Sequence, residues 1–279
     1  MENIKIIAFD LDDTLLNSKK ELTSETFETL KKASSMGIEI IPCTGRLCSA
    51  VPEVVKELDF VNYNITLNGA DIRDVKNNKS IAKFEIPTEY VVTLSRVFKN
   101  LPVIYDCVAD SIGYMSKECF DKIPDFMIGE WQVRLVRDFR TPVDDLGEFF
   151  DSNKLKGQKM QVYTLDKELR KNLLQSLPVL FPKNIFSSSI QNNIEINDLS
   201  ANKGSALKFM AEYLGVKIEQ TLAFGDGLND IEMLKAAGIG VAMENACDEL
   251  KSVADYVTSS CNENGVAEGI KKFCFDHRY

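Results

Sequence analysis

The sequence predicts an α/β protein, a doubly wound parallel-sheet core built from both ends of the chain with an α+β domain inserted between them. Three observations predict it. Residues 4–9 (IKIIAF) form an apolar, β-branched run, as a strand buried on both faces of a parallel sheet does. Strand, polar loop and helix then alternate near both ends of the chain, the pattern of right-handed βαβ units. From about Pro87 that rhythm gives way to alternating strands joined by tight turns.

Polar DLDDT follows the opening strand, and a helix from about Thr23 to Met36 is closed by Gly37. A strand over 38–42 (IEIIP), the loop CTGR, a helix over roughly 48–58 and a strand over 61–67 come next. The insert opens with a helix from Pro87 to Leu101 that places Val91, Leu94, Phe98 and Leu101 on one face. VIYDCVAD and SIGYMSK then read as an antiparallel hairpin. Two short elements, a strand over 159–165, a helix over 166–181 and a second hairpin (IFSSSIQ, NN, IEIND) complete the insert. At Lys203 the βα rhythm returns with a helix over 203–214, carrying Leu207, Met210, Ala211 and Leu214 on one face and stopping at Gly215. Strand TLAF, loop GDGLND, helix 230–237, strand GIGVAM, helix 247–254, strand DYVTSS and a last helix follow. The expected domains are 1–83 plus 197–279 for the core and 84–196 for the insert. Trp131, the Phe150 region and the leucines of 173–180 are expected in the core of the insert.

Composition narrows the function. A chain of 279 residues suggests about two domains. The net charge of −9 argues against a nucleic-acid or anionic-membrane partner held by bulk electrostatics. The one histidine, His277, lies next to the C-terminus, which argues against Ser-His-Asp or Cys-His catalysis and a histidine zinc site. Seven scattered cysteines with no CxxC read as reduced thiols, mostly core filler. Acids inside the only apolar stretch near the N-terminus argue against a signal peptide, and no uncharged apolar run approaches a membrane span. The expectation is a soluble, cytoplasmic protein.

Four loops that follow predicted strands, or open a predicted helix, carry unusual polar groups, and such loops can converge beyond the carboxyl ends of a parallel sheet. The first is Asp10-Leu11-Asp12-Asp13-Thr14. Three acids ending an apolar strand are costly unless a cation compensates them, and a hard ion such as Mg²⁺ takes oxygen ligands. A capped, solvated first helical turn is the alternative. The second is Cys43-Thr44-Gly45-Arg46, where a hydroxyl and backbone N–H groups suit a phosphate oxygen, or simply a capped turn; Arg46 is either a surface or a paired arginine. The third is Lys203, at odds with the positive end of its helix unless an anion is near; a solvated lysine is the alternative. The fourth is Gly225-Asp226-Gly227-Leu228-Asn229-Asp230, two acids and an amide on a flexible turn that make a second half-site for a hard cation. Neither nucleotide fingerprint fits, because GxGxxG and the P-loop spacing are both absent.

In this order the four loops resemble the haloacid dehalogenase-like (HAD) superfamily of phosphotransferases, whose motifs are DxDxT, a Ser/Thr, a Lys and a GDxxND-type loop. The insert between the second and third motifs, preceded by Asn68-Gly69-Ala70, resembles its class IIB branch of Cof-type sugar phosphatases. The resemblance spans essentially the whole chain and implies a Rossmann-like core with an inserted cap that sets substrate specificity. It implies Asp10 as the nucleophile forming an aspartyl-phosphate and as a Mg²⁺ ligand. It implies Asp12 as general acid and then base, its backbone carbonyl on the metal, with Asp226 completing the metal site and Asp230 in support. Thr44, Gly45, Lys203, Asn229 and the Leu11 amide would hold the transferring phosphoryl group. The implied partner is a small phosphorylated metabolite, with neither nucleic acid, membrane nor an obligatory protein partner.

Two further readings compete. A phosphomutase or other phosphotransferase would keep the chemistry and change the acceptor. A receiver-like signalling module would cast Asp59 as phospho-acceptor, but Asp59 follows a helical stretch and a receiver needs less than half this chain.

Overall fold

The computed structural model describes residues 3–188 and 190–276, so His277 lies outside the described residues. The chain divides into two compact units, one of Met1–Gly45, Val51–Ala82 and Asn202–Tyr279, the other of Arg46–Ala50 and Lys83–Ala201.

In the first unit, β1 (Ile6–Phe9) is buried along its whole length and pairs in parallel with β2 (Glu39–Pro42). The helix Ser24–Ser35 between them is capped by the Thr23 side chain, turns Leu30 and Ala33 inward, and is followed by Gly37 at φ +81°. The helix expected over 48–58 is two single turns, Cys48–Ala50, which falls in the second unit, and Glu53–Lys56 in the first. Pro52 divides them, since it has no N–H to donate to a continuing helix. β3 (Tyr63–Thr66) falls within the expected 61–67, yet it leaves the parallel rhythm. It pairs antiparallel with β4 (Asp71–Asp74), in a three-stranded sheet completed by β5 (Lys79–Lys83). An isolated parallel bridge joins Cys43 to Ile65. The reversal into β4 is made by Leu67, Asn68 and Gly69, all with positive φ.

The second unit holds a six-stranded sheet of order β10-β11-β9-β6-β7-β8. β6 (Ile104–Ala109) and β7 (Ile112–Ser116) form the expected hairpin, turning through Asp110 and Ser111 at φ 48° and 64°. β8 (Arg140–Val143) pairs in parallel with β7, while β9 (Lys159–Tyr163), β10 (Asn184–Ser187) and β11 (Asn193–Asp198) pair antiparallel. One face of the sheet sends Tyr105, Cys107, Met160, Val162, Ile194 and Ile196 into a core shared with Leu94, Phe98 and Phe150. Buried charges stand among the alternate positions, where Asp106 pairs with Arg140 at 3.1 Å and Lys159 with Glu195. Phe150, Leu173 and Leu177 are core as expected, but Trp131 is 43% and Leu180 65% exposed. Trp131 occupies the first turn of a helix (Glu130–Arg137) that buries Val136, and Leu180 ends its helix beyond Pro178. The unit runs to Ala201 rather than 196, because β11 stays paired to β9 and β10.

Back in the first unit, β12 (Thr221–Gly225), β13 (Ile239–Ala242) and β14 (Tyr256–Val257) complete a parallel sheet of order β14-β13-β12-β1-β2. The chain winds outward from β1 on one side and from β12 on the other. The strand order therefore reverses between these two, the place where open α/β sheets bind ligands beyond their carboxyl ends. Among the described residues no helix is long and apolar enough to cross a membrane. The cysteines are free, four buried and three half-buried.

Candidate active site

Asp10 is the first residue beyond β1, and its N–H donates to Phe224 O at 3.0 Å, which ties the ends of β1 and β12. Lys203 opens the helix Lys203–Tyr213, which is capped by the Asn202 side chain. Its ammonium is fully buried, 2.7 Å from Asp10 Oδ1 and 2.6 Å from Asp230 Oδ1. The solvated alternative for this lysine is thus excluded, and the anions that reconcile it with its helix end are carboxylates of two other loops.

Asp230 is itself held on both oxygens. Oδ2 accepts the N–H groups of Asp226 and Gly227, each at 3.0 Å. Gly225 makes this possible, because a Cβ there would stand 2.5 Å from the Asp230 Cβ. Asp226 Oδ1 accepts the Thr14 hydroxyl at 2.7 Å. The outcome is a cluster, buried at Asp10 and Asp230 and half-buried at Asp226, in which carboxylate oxygens of the three lie within 4.8 Å of one another.

The electrostatics of that cluster are unbalanced. Three carboxylates share one buried ammonium, so full ionisation of all three would leave two negative charges uncompensated. Burial is the main reason Asp10 is pushed up to about 7; Lys203 opposes the rise, and Asp230 and Asp12 add to it. Burial, then Asp10 and Asp230, push Asp226 up to about 8. Burial alone would depress Lys203, but Asp10 and Asp230 overcome it and hold the ammonium above its ordinary value. Cys43, beside the same groups, is raised chiefly by burial and is held as an inert thiol.

Asp12 stands outside the cluster, half-buried, with Lys20 Nζ 3.3 Å from its Oδ1 and 3.1 Å from Asp13 Oδ1. Thr44 is buried, donates its N–H to Ile65 O at 2.9 Å, and is followed by Gly45. Leu11 is buried, and its carbonyl accepts Leu16 N–H at 2.9 Å. Asn229 donates through Nδ2 to Asn68 Oδ1 at 3.2 Å. Arg46 Nη1 donates to Ala50 O at 2.9 Å, and the Arg46 Cζ lies 6.0 Å from the Trp131 ring centroid. Asp59 is exposed and ends no strand, against the receiver reading.

Three residues of this constellation received no role in the sequence. Thr14 carried a signal, as the last member of DxDxT. Asn68 carried one too, within Asn-Gly-Ala. Lys20 carried none, because its reach to Asp12 depends on a turn in which Lys20 itself has φ +62°.

The family of haloacid dehalogenase-like hydrolases matches residues 7–270. The chain is 32% identical to the 5-amino-6-(5-phospho-D-ribitylamino)uracil phosphatase YcsE of Bacillus subtilis (strain 168), across 96% of this chain and 95% of that one. Among solved structures, a haloacid dehalogenase-like hydrolase from B. subtilis superposes with a TM-score of 0.83 at 28% identity, covering 96% of this chain and 99% of that one. A HAD subclass IIB sugar phosphatase superposes with a TM-score of 0.79 at 26% identity, covering 96% and 98%.

Proposed function

The chain belongs to the family of haloacid dehalogenase-like hydrolases and is a hydrolase of phosphate esters; from that premise we propose a Mg²⁺-dependent phosphatase of small phosphorylated metabolites that works through an aspartyl-phosphate on Asp10. The observation that carries the proposal is the cluster of Asp10, Asp226 and Asp230 beside Lys203, an all-oxygen donor set of three acids that share a single buried cation. That donor set fits a hard divalent ion. Asp10, Asp226 and the Asp12 carbonyl would hold it, and Asp230, whose oxygens already serve Lys203 and two N–H groups, would support them. Bound there, Mg²⁺ would neutralise charge on the phosphoryl oxygens and keep Asp10 ionised at neutral pH.

The protein's own groups then divide the reaction. Asp10 attacks phosphorus and the ester oxygen leaves, taking a proton from Asp12. Water next attacks the aspartyl-phosphate and gives its proton to Asp12, releasing phosphate and restoring Asp10. Lys203, Thr44, Gly45, Asn229 and the Leu11 amide hold the phosphoryl oxygens throughout, so charge is met by groups already in place. The second unit discriminates among substrates.

Sugar phosphates are the first class to test. YcsE is named for an ester on a ribityl chain, and the subclass IIB neighbour for sugar phosphates. A panel of phosphomonoesters with Mg²⁺, read by phosphate release, tests the proposal. Release from sugar or polyol phosphates that is lost on exhaustive EDTA treatment supports it. Full activity after that treatment contradicts the metal, and transfer to a second sugar without release of phosphate contradicts hydrolysis.

A further inference from the structure

Leu67, Asn68 and Gly69 are consecutive left-handed residues, at φ 54°, 59° and 101°. Leu67 and Asn68 are 1% and 3% exposed. Non-glycine residues seldom take this backbone, and a buried pair of them persists where surrounding contacts over-determine it. Three contacts tie the turn to three loops of the site. Asn68 N–H donates to Thr44 O at 3.0 Å. Asn68 Oδ1 accepts Asn229 Nδ2 at 3.2 Å. Gly69 passes so near the cap of the Lys203 helix that a Cβ would stand 2.6 Å from Asn202 O.

From this geometry we infer that Asn68 is a positioning residue, which fixes the end of the Asn229 carboxamide that faces the phosphoryl group. A carboxamide donates at one end and accepts at the other, and only the donor end attracts phosphate oxygens. Nδ2 carries two hydrogens, so one serves Asn68 while the second is left for phosphate. The acceptor end is placed as well. Asn229 Oδ1 lies against Gly227, only 2.9 Å from where a Cβ on that glycine would be. Without Asn68, a rotated carboxamide forfeits no hydrogen bond to this turn and presents its oxygen to the substrate. The inference rests on the proposed role of Asn229 in holding phosphate.

Asn68→Gly removes the side chain and suits the φ of 59°. With inorganic phosphate as ligand and p-nitrophenyl phosphate as substrate, both in Mg²⁺, phosphate affinity and kcat/KM should each fall about 10–100-fold, the range for a lost hydrogen bond to a charged group. The melting temperature should stay close to wild type. Gly227→Ala, whose Cβ displaces Asn229 Oδ1, should give the same two losses. In an Asn229→Ala background, Asn68→Gly should change neither quantity. Unchanged phosphate affinity in Asn68→Gly, or full additivity with Asn229→Ala, overturns the inference and leaves the phosphatase standing. Wild-type protein that binds no phosphate and hydrolyses no ester overturns both.

Discussion

Thr14 Oγ1 donates a 2.7 Å hydrogen bond to Asp226 Oδ1, joining two loops 212 residues apart in the chain. The hydroxyl leaves one Asp226 oxygen engaged and so fixes how the carboxylate faces Asp10 and Asp230. Residues that orient a metal ligand in this way change affinity about 10–100-fold when removed. Thr14→Val should therefore raise the Mg²⁺ concentration for half-maximal activity by that factor, with activity recovering at saturating metal. A Mg²⁺ titration identical to wild type would show that the hydroxyl only packs.

The metal-free protein should lose stability as pH rises through neutrality. Asp10 is pushed up to about 7 and Asp226 to about 8, both above the ordinary 3.8. Groups raised by folding stabilise the folded state in their protonated form. Their contribution is complete below the unfolded value and disappears as pH passes the folded one. In EDTA the melting temperature should fall between about pH 4 and 8, the span from the ordinary to the raised values, and Mg²⁺ should restore it more at the upper end, where both carboxylates are ready to bind. A melting temperature in EDTA that stays level or rises over this range contradicts the electrostatic account.

In the second unit, Lys159 and Glu195 are 1% exposed and paired. Burial holds the Lys159 ammonium below its ordinary value, and Glu195 opposes that effect. Glu195→Leu strands a buried cation and should cost roughly 3–5 kcal/mol in urea unfolding, whereas adding Lys159→Met should recover most of it. Equal destabilisation by the single and double variants would contradict the argument.

The parallel core is legible in the sequence because its strands are buried on both faces and read as apolar runs. Polar residues at their ends therefore stand out, as Asp10 does after IIAF and Asp226 after TLAF. Other features depend on tertiary context. Lys203 alone is ambiguous, since nothing local shows that Asp10 and Asp230 will close over it. The antiparallel turn of β3 into β4 is hidden because only one of its three left-handed residues, Gly69, is a glycine. Trp131 and Leu180 are apolar yet exposed, and hydrophobicity by itself does not choose which face a short helix buries. Pro52 is the local signal for the break between Cys48–Ala50 and Glu53–Lys56, since proline cannot donate to a continuing helix.

In the proposed mechanism Asp10 carries phosphate covalently while Asp12 moves the proton. Asp12→Asn with p-nitrophenyl phosphate tests both at once, because the aryl leaving group departs without help while attack of water on the phosphoenzyme still lacks its base. Rapid-quench kinetics should show a burst of p-nitrophenol approaching one equivalent and then a stall, with mass spectrometry finding phosphate on the peptide containing Asp10. Turnover of alkyl and aryl esters at wild-type rates, with no burst and no phosphorylated peptide, would contradict the account.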